Sequence, residues 1–115
     1  MKVTVRKNSI VVLAASLLMA SLASQAKAFT SYGGDASCGT VAQKQDEQGY
    51  SALYMAWMFG FITAANELTE TTYKNPPDQN GIWQALILHC ENNPLDNLYD
   101  ATANVWGQLL LRNQR

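Results

Sequence analysis

The sequence predicts an all-α fold, a small bundle of three main helices and one short helix closed by one disulfide. Three observations predict it. Beyond residue 49, apolar residues recur at three- and four-residue steps in three segments, which is the spacing of one helix face. No segment sustains the alternation of a half-buried strand. The chain has 115 residues, 48% hydrophobic and 15% charged, which is one domain's length and too apolar for a disordered chain.

The first segment reads as an address. Lys2, Arg6 and Lys7 form a basic start, Ile10 to Leu22 is an uncharged apolar run, and Ala26-Lys27-Ala28 is a small-x-small site. This is the layout of a secretory signal peptide. The apolar run has 13 residues, short of the ~20 of a spanning helix. Cleavage is expected after Ala28, making residues 1–28 the signal peptide and 29–115 the mature domain. The expected location is the periplasm, with no membrane association after cleavage.

Cleavage changes the charge. Lys2, Arg6, Lys7 and Lys27 leave, so Lys44, Lys74, Arg112 and Arg115 face all nine carboxylates of the chain, net −5. With every carboxylate protonated and His89 counted, the net charge becomes +5. No basic stripe exists for nucleic acid. All 11 aromatic residues lie in the mature part, a heavy load for a domain of this size, where a single core is marginal.

Cys38 and Cys90 both fall in the exported part, and an even pair there reads as one disulfide. It closes a loop of about 52 residues, worth roughly 4 kcal/mol in the chain-entropy model. A catalytic thiol beside His89, or zinc held by Cys38, His89 and Cys90, is the weaker reading. His89 and Cys90 are adjacent and diverge by about 100° on a helix.

The elements follow in order. Phe29 to Ala36, with Gly33 and Gly34, reads as a flexible start. Ser37 to Gln48 reads as a short polar helix pinned by Cys38 and broken by Gly49. Tyr50 to Thr69 is the strongest element, with Tyr50, Leu53, Tyr54, Trp57, Met58, Phe61 and Ala65 on one face. Met55, Phe59 and Ile62 widen that face until the helix is apolar over most of its girth, as in a bundle centre or a subunit interface. Gly60 lies inside it and is expected to let another helix approach.

Thr71 to Gln79 is a loop broken by Asn75-Pro76-Pro77. Asp78 or Asn80 caps the next helix, whose buried side is Ile82, Trp83, Leu86, Ile87 and Cys90. Asn93, preceding Pro94, ends it. Pro94 is then expected to open the last helix, with Asn93 as N-cap and Asp96 favourable near the positive helix start. Its inner stripe is Leu95, Leu98, Thr102, Val105 and Leu109, with Tyr99 and Trp106 beside it. Arg112 and Arg115 close its C-terminal end.

The run Cys90-Glu91-Asn92-Asn93-Pro94-Leu95-Asp96-Asn97-Leu98-Tyr99 resembles the HdeB branch of the HdeA/HdeB family of periplasmic acid-stress chaperones, which carries a similar Cys-x-x-Asn-Pro-x-x-Asn-Leu-Tyr run. Trp106 resembles the HdeA branch at its spacing from Cys90, and Ala56-Trp57-Met58 resembles the apolar helix after the first cysteine. The resemblance covers most of residues 38 to 110. It implies an all-helical fold, a single disulfide, a homodimer near neutral pH, and loosening in acid that exposes apolar surface to unfolding periplasmic proteins. Cys38 and Cys90 carry over by position. Trp57, Met58 and Phe61 carry over as a client-binding region. The chain departs from the pattern in a longer Cys38-to-Trp57 spacing and in having only Lys44 and Lys74 as mature lysines. It is also similar, more loosely, to exported helical immunity proteins of the Rap1a/Tai type, around Gly60 and Cys90 to Pro94. That similarity implies the alternative function of binding one cognate toxin or partner.

Residue chemistry adds an acid response. Carboxylates neutralise below about pH 3.5, which weakens helix caps at Asp78 and Asp96 while a disulfide still ties two helices. Methionine and aromatic side chains such as Trp57, Met58 and Phe61 suit contact with varied apolar clients. Enzymatic chemistry has no support. There is no nucleophile–His–carboxylate set, no phosphate loop and no helix with paired metal ligands. No cofactor or metal is expected. Glu67 with Glu70, and His89 with Glu91, read as solvated surface pairs.

Overall fold

The computed structural model describes residues 30–115; the expected signal peptide and its cleavage site lie outside them. Four helices follow one another: α1 Cys38–Gln43, α2 Gln48–Leu68, α3 Gln79–Asn92 and α4 Leu98–Asn113. Among the described residues there is no strand, only one isolated antiparallel bridge between Ser37 and Asn97. Helix α4 packs against both α2 and α3, α1 packs chiefly on α3, and α2 and α3 hardly touch each other.

The core draws on every helix. Val41 comes from α1, Tyr54, Met58 and Ile62 from α2, Trp83, Leu86 and Ile87 from α3, and Leu98, Ala101, Val105 and Leu109 from α4. Helices α3 and α4 bury most of their expected stripes; α2 buries Tyr54 and Met58 of its expected face together with Ile62, while Tyr50 and Leu53 face solvent. Cys38 and Cys90 are disulfide-bonded and fully buried, with Cα atoms 4.6 Å apart. The bond ties the start of α1 to the end of α3.

The helix ends are closed by short-range chemistry. Asp78 caps α3 by accepting from the Gly81 N–H at 2.6 Å. Asn93 ends α3 as expected. Helix α2 ends in a residue with positive φ, Glu70 at 52°. The Thr71 N–H bonds to the Asn66 carbonyl at 2.8 Å and the Glu70 N–H to that of Glu67 at 3.2 Å. That is a Schellman closure with glutamate at the position glycine favours.

Five expectations are corrected. Gly49 does not separate two helices; it lies in the first turn of α2. Pro94 does not open α4, and Asn93 is not its N-cap. Asn97 is the cap, accepting from the Asp100 N–H at 2.8 Å, while residues 93–96 form a turn closed by the Asp96 N–H on the Asn93 carbonyl. Leu95 therefore leaves the inner stripe and is fully exposed. Asp96 lies outside the helix and faces His89. Gly60 receives no helix among the described residues, where a Cβ at that position would meet nothing within 4 Å.

The physical reason for the late start of α4 lies far away in sequence. The turn before it serves α1. The Cys38 N–H bonds to the Asp96 carbonyl at 2.8 Å and the Gly39 N–H to the Pro94 carbonyl at 3.1 Å. In return, the Leu98 N–H bonds to the Ala36 carbonyl and the Tyr99 N–H to the Gly34 carbonyl, at 2.8 and 2.9 Å. Ser37 and Asn97 supply the remaining acceptors, Ser37 to Thr40 and Val41, Asn97 to Asp100 and Ala101. The first two N–H groups of each helix, normally orphaned, are thus satisfied by exchange between two segments about sixty residues apart, and the next two by the helix's own N-cap residue. Residues 34–36 are consequently anchored, not the flexible start the glycines suggested.

Candidate functional site

Helix α2 carries no charged residue between Glu47 and Glu67. Its inward side is occupied by Tyr54, Met58 and Ile62, all buried. Because α2 packs chiefly on α4 and, less, on α1, its far side meets water. Ala52, Leu53, Ala56, Gly60, Thr63 and Ala64 are exposed there, Leu53 by 63%. Positions 52, 56, 60 and 64 are all alanine or glycine, one turn apart, so the backbone of α2 is open to close approach by another apolar surface.

An aromatic row borders this face. The Trp57 and Phe61 rings stack at 5.7 Å between centroids, and the Phe61 ring meets the Tyr99 ring edge-on at 5.4 Å. A strap covers the row. The Trp57 indole N–H donates to the Tyr32 carbonyl, and residues 33 and 34 lie flat on the indole. A Cβ at Gly34 would come within 2.6 Å of Trp57 Cζ2, and Gly33 has a φ of +87°. Both glycines are required, one for close approach and one for backbone conformation.

Of the three residues expected to bind clients, Trp57 and Phe61 are brought together and half-buried, while Met58 points the other way into the core with no exposure. Sequence reasoning missed Tyr32, Gly33, Gly34 and Tyr99 as their neighbours. The Gly33-Gly34 pair upstream of an aromatic helix was the available signal.

The other polar candidates separate. His89 Nε2 lies 2.8 Å from Asp96 Oδ2, not beside Glu91; Glu91 instead accepts from Gln45 Nε2 at 3.2 Å. His89 and Glu91 both lie in the last turns of α3, and the His89–Asp96 pair holds the turn that follows against that helix. Both cysteine sulfurs are in the disulfide, so neither forms the thiolate that a nucleophile or a zinc site requires. Among the described residues, no three His, Cys, Asp or Glu side chains are grouped to hold a metal ion, and no helix is long and apolar enough to cross a membrane.

The described residues thus form an all-helical domain stapled by one disulfide, a bond that persists in oxidising compartments, with an uncharged face along its longest helix. No family model, no curated protein and no solved structure matches the chain.

Proposed function

We propose that the chain is a periplasmic acid-stress chaperone-like protein that binds unfolding proteins through α2. The observation that carries this reading is the uncharged, solvent-facing side of α2 from Ala52 to Ala64. Monomeric soluble proteins rarely expose a long contiguous apolar face without a partner for it. Near neutral pH a second copy covers this face, the small residues letting two α2 helices pack closely. In acid the mature chain passes from net −5 toward +5. Neutralising the carboxylates removes the helix caps and ion pairs they serve in the folded chain, the pairing loosens, and the face, with the Trp57–Phe61 row beside it, becomes available to clients. The disulfide keeps α1 and α3 together throughout, so opening is partial.

A second reading, an exported immunity-type protein with one cognate partner, is favoured by the few cations. Four Lys and Arg in residues 29–115 give a client complex little charge for staying soluble in acid.

The test is a client-aggregation assay with the exported protein at about pH 2.5 and at pH 7, with dye binding in the same samples. The expected result is suppression in acid only, accompanied by new dye binding, and loss of suppression in Leu53→Lys/Ala56→Lys, which keeps charge on the face at both pH values. Sedimentation at pH 7 should give a dimer for the parent chain and a monomer for the variant. Absence of suppression at both pH values overturns the chaperone reading, and a single tight partner retained at both pH values establishes the second.

A further inference from the structure

We propose that the opposite end of the domain holds a binding site for a single-chain amphiphile with one anionic head group, such as a free fatty-acid anion. A cavity of about 450 Å³ lies between the N-terminal half of α3 and the C-terminal half of α4, within the range of small-molecule pockets. Pro77, Ile82, Ala85, Val105, Leu109 and Leu111 give it apolar walls, and Gln108 adds an amide. Arg112 and Arg115 stand at its margin. They also line a smaller adjoining hollow of about 150 Å³, to which Lys74 contributes.

The charge distribution selects the ligand. Residues 29–115 contain four lysines and arginines against nine carboxylates; two of the four, Arg112 and Arg115, line this recess, and a third, Lys74, lines the hollow that adjoins it. None of the three makes an ion pair with a described residue, whereas the fourth, Lys44, pairs with Glu47 at 3.4 Å and sits over the Tyr50 ring. The helix dipole accounts for cations in the last turn of α4, but not for Lys74, which arrives on the loop between α2 and α3. That loop is tied in place. Asn113 accepts from the Lys74 backbone N–H at 3.1 Å and donates to the Thr72 carbonyl at 2.9 Å. Asp78, the carboxylate adjoining the recess, is engaged by the Gly81 N–H.

An apolar slot with cations at its mouth takes an apolar tail and an anionic head. Arginine suits the head because its fork matches carboxylate, sulfate or phosphate oxygens in pairs. The recess is an open groove floored by the buried Val105 and Leu109, so a free chain lies along it, and a tail held in a bilayer is the alternative that anionic vesicles test. This site is separate from the α2 face and does not depend on the function proposed for it.

The experiment is amide chemical-shift mapping on the ¹⁵N-labelled exported protein, titrated with decanoate below its critical micelle concentration. Decyltrimethylammonium, acetate and anionic phospholipid vesicles serve as the other probes. Decanoate should give saturable shifts centred on Ile82, Ala85, Val105, Leu109 and Arg112. Arg112→Glu should weaken its binding by about tenfold or more, and Ala85→Phe, which fills the slot, should abolish it while helical content by circular dichroism is kept. Should Ala85→Phe fail to fold, Arg112→Glu alone, a change at an exposed position, decides. Equal binding of the cationic amphiphile, equal response to acetate, shifts centred on α2, a response to vesicles but not to decanoate, or no saturable shift each overturns the proposal.

Discussion

Asn66 and Trp106 are forty residues apart in sequence and joined by a hydrogen bond of 3.0 Å, with the indole N–H donating to Asn66 Oδ1. The same oxygen accepts from the Tyr73 hydroxyl at 2.7 Å. One amide oxygen therefore fastens the end of α2 to α4 and to the loop that follows α2. Asn66→Ala leaves two partly buried donors without their acceptor, and it is expected to destabilise the domain by about 2 kcal/mol. Urea midpoints measured by tryptophan fluorescence check this, and an unchanged midpoint would show that water replaces the amide at no cost.

Glu70 stands in the left-handed region at the C-terminal closure of α2, where a side chain brings strain and glycine brings none. Glu70→Gly is expected to raise stability by about 1 kcal/mol. A lowered thermal midpoint would contradict the strain argument.

Gly34 and Gly60 are predicted to respond to alanine with opposite signs. Gly34→Ala drives a methyl group into the Trp57 ring, lifting the strap. The expected readings are red-shifted tryptophan emission, more dye binding and a loss of about 1–2 kcal/mol. Gly60→Ala meets nothing within 4 Å and gains helix propensity, about 1 kcal/mol. Denaturation at protein concentrations low enough to give a monomer separates this gain from any effect on self-association.

Replacing both Cys38 and Cys90 by serine removes a cross-link spanning 52 residues. The expected loss is about 4 kcal/mol, most of the stability of a domain this size. The measurement is the urea midpoint of the parent chain with and without reductant, beside that of the double variant.

The three long helices were legible because each repeats its apolar residues on one face over several turns, and Tyr54, Met58, Leu86 and Val105 all occupy the core those repeats imply. The cap of α3 was narrowed to Asp78 or Asn80, and the disulfide was legible, because each depends on residue type; the cap is Asp78. What the sequence hid was long-range backbone pairing. Pro94 satisfies every local preference for a first helical residue, yet its carbonyl is taken by Gly39, and the helix waits for Asn97. Residues 34–36 look flexible for the same reason, since their partners, Leu98 and Tyr99, lie at the other end of the domain. The face of α2 was half legible. Its apolar girth was plain, but periodicity could not say that Met58 turns inward while Leu53 and Ala56 face water.

The exchange between the starts of α1 and α4 also sets a schedule for any chain that emerges from its N-terminus. The first two N–H groups of α1 find their acceptors only when Pro94 and Asp96 arrive, and Cys38 finds its partner only when Cys90 does. Until then α2, uncharged along nearly its whole length, is out in the open without the α4 surface that buries it. Contacts of such wide sequence separation slow folding. The apolar helix is therefore exposed longest while the domain is incomplete, so a holding factor acting on the nascent or translocating chain would find its binding segment in residues 48–68.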